Sequence, residues 1–162
     1  MENHLNKDTN FWINKSEDQY KRQRYSEAIL SANSAILLDE DSTNAWWFLA
    51  LSYQELNDFY EALKALEKVN ELAPEFANGW ARYGEVLQSI GSNDKALEAF
   101  EKTIEIDNSH KTALVGLASI YIALNSSDHD DMDKEIHILT RLDDIQNWLS
   151  SNQLNRLGIL YF

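Results

Sequence analysis

The side chains with the greatest capacity for chemistry crowd into one stretch, where Asp128, His129, Asp130, Asp131 and Asp133 are followed by His137, one helical turn beyond Asp133. Carboxylates and imidazoles are natural ligands of divalent ions. Their order, however, is not that of an EF-hand loop, which alternates oxygen ligands about a central Gly and closes on a distal Glu. With Ser126 and Ser127 just ahead, the stretch reads as a solvated polar loop, and no metal is assigned to it. The five glycines, Gly79, Gly84, Gly91, Gly116 and Gly158, are scattered, so they assemble neither a phosphate-cradling loop nor a dinucleotide fingerprint. Ser, His and Asp occur at no telling spacing. The absence of cysteine removes disulfides, thiolate catalysis and Cys-based zinc sites together. No catalytic residue and no cofactor is predicted, and the chain reads as not an enzyme.

Composition narrows the reading further. Its 162 residues are 44% hydrophobic, enough for the core of one ordinary domain. Glycine and proline are scarce, as a mostly helical chain requires. A net charge of −13 argues against nucleic acid, because phosphate binding relies on Lys and Arg displacing counterions. The same acidity disfavours an anionic membrane surface. Met1 is followed by Glu2, Asn3 and His4 with no apolar run, so neither a signal peptide nor a membrane span is visible, and the expected location is cytoplasmic.

The elements that position these residues are set by a period. Trp12, Trp46 and Trp80 stand 34 residues apart, and Ala28, Ala62 and Ala96 repeat at the same interval. Between Trp46 and Pro74, the residues Trp46, Leu49, Ala50, Tyr53, Ala62, Leu66 and Pro74 fall at the offsets of a W-x2-L-G-x2-Y, A-x3-F, P pattern. On these residues the chain resembles the tetratricopeptide repeat (TPR) family. The resemblance implies an all-α, right-handed superhelical α-solenoid of antiparallel helix pairs. The expected organisation is a single domain over 1–162, with units near 9–42, 43–76, 77–110 and 111–150 and a partial unit, a final single helix, over 151–162.

Column by column, the position where the two helices of a unit approach most closely reads Ser16, Ala50, Gly84, Ala118 and Gly158, all small. The second helices carry apolar residues at helical spacing: Ile29, Ala32, Ala35 and Leu38, then Leu63, Leu66, Val69 and Leu72, then Leu97, Phe100, Thr103 and Ile106. Turns are expected at Asn57-Asp58 and Gly91-Ser92-Asn93. Asn10, Asn44 and Asn78, with Thr112 after them, recur near the start of each first helix, either as N-caps or as donors facing a ligand.

The ends depart from the pattern. Lys15 and Gln19 replace apolar residues of the second unit, as on a solvated N-terminal cap. Residues 125–131 enlarge a turn, after which Ile136, Leu139, Leu142 and Ile145 resume the apolar columns. Leu154, Leu157, Gly158 and Tyr161 restart the motif, and the sequence stops mid-unit with Ile159, Leu160 and Phe162 apolar. That end reads either as part of a longer array or as a helix that caps the stack or meets a second copy, making a homo-oligomer.

In the family, stacked first helices line a concave surface that binds peptides or partner segments. Carried over, the groove is expected at Tyr20, Asn44, Trp47, Phe48, Leu51, Asn78, Arg82 and Glu85. Trp47, Phe48 and Leu51 form an apolar cluster with Arg82 as its nearest cation, the residue types that dominate binding hot spots. The alternative is that Trp47 leans on Tyr20 and merely extends the core. Some TPR proteins grip the terminal carboxylate of chaperone tails with Lys and Asn in one first helix, Asn in the next, and Lys and Arg in the third. Aligned from the first unit, the matching residues are Ile13 and Glu17, then Phe48, then Asn78 and Arg82, and only Arg82 agrees. Aligned from the second they are Trp47 and Leu51, Arg82, Thr112 and Gly116, and none agrees. The expected function is a non-catalytic interaction scaffold for another protein or peptide. The alternatives are a regulatory or assembly arm of a larger protein and a homo-oligomer building block.

Overall fold

The computed structural model describes residues 8–124 together with Ile138 and Thr140. Seven helices occur among them: α1 (Thr9–Lys21), α2 (Tyr25–Ile36), α3 (Thr43–Glu55), α4 (Phe59–Leu72), α5 (Ala77–Ser89), α6 (Asn93–Ile106) and α7 (Lys111–Leu124). No strand occurs among the described residues. The chain is an all-α solenoid in which α1 packs on α2, α3 on α4 and α5 on α6, and each pair is joined to the next by α2 on α3, α4 on α5 and α6 on α7.

Three turns within the pairs repeat in geometry as well as in position. Gln23, Asn57 and Gly91 each adopt a positive φ, of 60°, 59° and 78°. At each, two backbone N–H groups return to the preceding helix: Gln23 N to Tyr20 O and Arg24 N to Gln19 O, Asn57 N to Gln54 O and Asp58 N to Tyr53 O, Gly91 N to Gln88 O and Ser92 N to Leu87 O. This is the Schellman closure, which satisfies carbonyls that a helix end leaves open. Asn and Gly tolerate the left-handed backbone with little cost; Gln23 does not share that tolerance, so the first turn carries no residue that announces it.

The small column is buried where it is described: Ser16, Ala50, Gly84 and Ala118 are almost wholly hidden. Ser16 uses its hydroxyl there, donating to Ala28 O at 2.9 Å across the α1–α2 contact. The repeated tryptophans also share a role. Trp46 Nε1 donates to Glu40 O at 2.7 Å and Trp80 Nε1 to Pro74 O at 2.8 Å, each six residues back, pinning the linker between units.

Two expectations change, and others lie outside the described residues. The Asn column is not a capping column: Asn10, Asn44 and Asn78 lie second in their helices, and the cap of α1 is Asp8, whose carboxylate accepts from Phe11 N at 2.8 Å. Ser42 and Phe76 occupy the corresponding positions before α3 and α5 without a side-chain cap. Gln19 is not solvated but 6% exposed, meeting the Ser31 hydroxyl at 2.6 Å, because α2 covers that face; Lys15 is exposed and lies over the Trp12 ring. The acidic loop with Asp128 to His137, the columns at Ile136, Leu139, Leu142 and Ile145, and the partial unit over 151–162 fall outside the described residues.

Candidate partner-binding groove

Helices α1, α3, α5 and α7 are the first helices of successive pairs, and they present the predicted groove residues. Their spacing is uneven. The backbone of α1 lies against α3 and that of α5 against α7, whereas α3 meets α5 mainly through side chains, Val86 of α5 sharing a buried cluster with Leu49 and Ala50 of α3. Side-chain size accounts for the close approach of α5 and α7. Phe100 of α6 is fully buried, and a Cβ added at Gly84 would lie 2.6 Å from its ring; one at Gly116 of α7 would lie closer still. Two glycines on facing helices thus grip one ring.

The α3 residues divide. Leu51 is 7% exposed, so it belongs to the packed interior rather than to an open groove wall; α3 is covered by α1, α2 and α4, which widens its buried arc beyond the packing columns. Trp47 and Phe48 are half-buried. Trp47 does not lean on Tyr20. Its ring meets Phe76 in a T-shaped contact, with centroids 5.1 Å apart, and so points forward along the array. Phe48 is the residue that meets Tyr20, at 6.4 Å.

Tyr20 also touches Tyr25 at 5.6 Å and donates its hydroxyl to Glu55 Oε1 at 3.2 Å. Burial pushes the Tyr20 phenol up, and the Glu55 charge and hydrogen bond push the same way, while the Arg82 guanidinium pulls it down. Burial likewise raises Tyr25, with Glu55 adding to it. Arg82 is engaged by Glu85, at 2.8 Å and one turn ahead on α5. The predicted residues Tyr20, Phe48, Arg82 and Glu85 are therefore neighbours or linked through neighbours, whereas Trp47 turns away from them to join α3 to the start of α5 through Phe76.

The two asparagines lie at the margin. Asn44 is exposed and lines an open depression of about 540 Å³ with Asp8, Asn10 and Asp39. Asn78 is exposed and its Oδ1 lies 2.9 Å from His110 Nε2, which ties the start of α5 to the start of α7. A second depression of about 440 Å³ runs between α5 and α7, edged by Glu85, Gln88, Lys111 and Ser119 and floored by Phe100. Gln88 Nε2 donates across it to Ser119 Oγ at 2.7 Å.

Sequence reasoning passed over Phe76 and Tyr25 and gave Glu55 no part in the cluster. Phe76 breaks a column that otherwise reads Asp8, Ser42 and His110, and an aromatic in a capping column is the signal that would have found it. Among the described residues no group of three or more His, Asp or Glu could hold a metal ion.

Paired helices in a fixed phase, with one face of every first helix turned to the same side, define a helical-repeat solenoid. Residues 43–76 and 77–110 match the family profile described as Tetratricopeptide repeat, and these two units are tetratricopeptide repeats. It is 29% identical over 121 residues to the Hsp70-Hsp90 organizing protein of Triticum aestivum, covering 75% of this chain and 21% of that protein. It is 32% identical over 109 residues to the heat shock protein sti1 homolog of Schizosaccharomyces pombe, covering 67% of this chain and 18% of that protein. The chain thus spans about a fifth of the length of the relatives it matches. Among solved structures, MamA superposes with a TM-score of 0.78 at 22% identity over 86% of this chain and 81% of that one. The first TPR of Spaghetti (RPAP3), bound to the HSP90 peptide SRMEEVD, superposes at 0.71 with 20% identity over 74% of this chain and 95% of that one. At these identities the structural likeness establishes the fold.

Proposed function

We propose that this chain is a non-catalytic scaffold that holds a segment of another protein along the face formed by α1, α3, α5 and α7. The observation that carries the reading is the run of half-buried side chains along that face, Trp47 and Phe48 of α3 followed by Arg82 of α5. Aromatic and Arg side chains there offer large contact area to a guest segment. The organizing-protein relatives and a neighbour that holds an HSP90 peptide support protein or peptide as the ligand class. We take the units to run 9–42, 43–76, 77–110 and 111–150 with a partial unit over 151–162, and the location to be cytoplasmic. No described helix is long and apolar enough to cross a membrane. The organizing proteins carry their matching segment within a much longer chain, which favours, as a second reading, an assembly arm of a larger protein.

The test is affinity capture from cell extract on the immobilised chain and on a Trp47→Ala/Arg82→Ala variant, with bound proteins identified by mass spectrometry. Proteins retained by the first and lost from the second, with helicity preserved, support the groove. An unchanged set of captured proteins would sink it.

A further inference from the structure

Most side-chain clusters in this solenoid recur every 34 residues because they hold units together. One does not. Tyr20, Tyr25, Phe48 and Glu55 have as their counterparts one unit later Gln54, Phe59, Arg82 and Ser89, so the grouping of three rings and a carboxylate occurs at a single place. The rings form a chain, Tyr25 to Tyr20 at 5.6 Å and Tyr20 to Phe48 at 6.4 Å, tilted by 55° and 52°. None of the three is fully buried, and Glu55 is exposed. Ring faces attract cations through their quadrupole, and an adjacent carboxylate adds a full opposite charge.

The local charges make the preference specific. Arg82 is occupied by Glu85 at 2.8 Å, and Lys21 by Glu17 at 2.6 Å. Among the described residues no cation lies within 4.0 Å of Glu55, which is approached instead by the neutral hydroxyls of Tyr20 and Tyr25. The remaining local charge is therefore negative, beside aromatic surface open to solvent, on a chain whose net charge is −13.

We propose that Tyr20, Tyr25, Phe48 and Glu55 form a subsite for a Lys or Arg side chain carried by the segment that lies in the groove. This rests on the groove reading above and narrows it to a basic partner segment. It also sets this chain apart from the RPAP3 neighbour, whose peptide SRMEEVD is acidic.

Fluorescence anisotropy on the full chain tests it with two labelled probes: SRMEEVD, and its charge-inverted counterpart SRMKKVK with an amidated C-terminus. The basic probe is expected to bind, more weakly as salt rises, and more tightly than the acidic one. Glu55→Gln, at an exposed position, is expected to weaken it by roughly fivefold and to flatten the salt dependence, with helicity unchanged. Tyr25→Ala is expected to weaken it without changing the salt slope. No binding of the basic probe, equal binding by Glu55→Gln, or tighter binding of SRMEEVD would overturn the proposal. If both probes bind alike and both are lost in Trp47→Ala/Arg82→Ala, the groove stands and the cation subsite falls. If the basic probe is lost in Glu55→Gln but kept in Trp47→Ala/Arg82→Ala, the subsite stands and the groove reading falls.

Discussion

Two seams of the same solenoid are built in opposite ways. At the α5–α6–α7 seam Phe100 is enclosed by Gly84 and Gly116, and α5 lies against α7. At the α3–α4–α5 seam the corresponding residues are Leu66, Ala50 and Arg82; α3 and α5 meet through side chains around Val86, and the buried amide of Asn70 finds no hydrogen-bond partner. Asn70 occupies a column that reads Ile36 one unit earlier and Ile104 one unit later, and it faces Gly79 where the other units have Ala45 and Ala113. One seam closes on a gripped ring. The other leaves a buried amide unsatisfied in the units that carry the residues proposed to meet a partner, in line with the general tendency of sites to depart from the local rules that the rest of a fold obeys.

Breaking the tight seam produces the largest effect. Gly116→Ala forces a Cβ into the Phe100 ring, which Gly84 confines from the facing helix, and is expected to cost about 2 kcal/mol in urea unfolding. Adding Phe100→Leu to that variant reinstates the size combination of a smaller ring-free neighbour and should recover part of the loss. Equal stability of Gly116→Ala and the parent would show that the two glycines are not a grip.

Repairing the loose seam works in the other direction. Asn70→Ile copies the neighbouring units, removes an orphaned buried amide, and is expected to raise stability by about 1 kcal/mol. A loss instead would mean that the amide has a partner in solution and that the seam is not compromised. The same seam carries a pH signature. Tyr83 of α5 donates to Glu67 of α4 at 3.0 Å, and burial, followed by that hydrogen bond and the Glu67 charge, pushes its phenol up to about 12 from 10.0. The folded state therefore favours the neutral phenol. Its contribution is complete below pH 10 and is lost as pH climbs through the window to about 12. Tyr83→Phe should flatten the stability decline in that window, and a phenolate titration should lose its highest-pH step. An unchanged decline would remove Tyr83 as its source.

The fold was legible because its columns are set by burial, and burial leaves a periodic trace: Trp46 and Trp80 make the same hydrogen bond six residues back. The site was legible only in part. That Trp47 and Phe48 flank each other on α3 follows from sequence, but that Trp47 turns to Phe76 and Phe48 to Tyr20 depends on how far apart α3, α1 and α5 sit, which no single-helix pattern records. Leu51 was misplaced for the same reason. Its helix is covered from several directions, so a residue outside the packing columns is still enclosed. The turn at Gln23 was silent because its geometry comes from the hydrogen bonds that close α1, not from a residue suited to the angle.

The indole tethers carry one more consequence. Trp46 and Trp80 hold the two linkers in like fashion, although the first helices on either side meet backbone to backbone in one case and through side chains in the other. The course of the linkers and the closeness of the first helices are thus governed by different residues. A lineage of such arrays can be retuned for thicker or thinner guests by exchanging a few side chains, without redrawing the path of the chain.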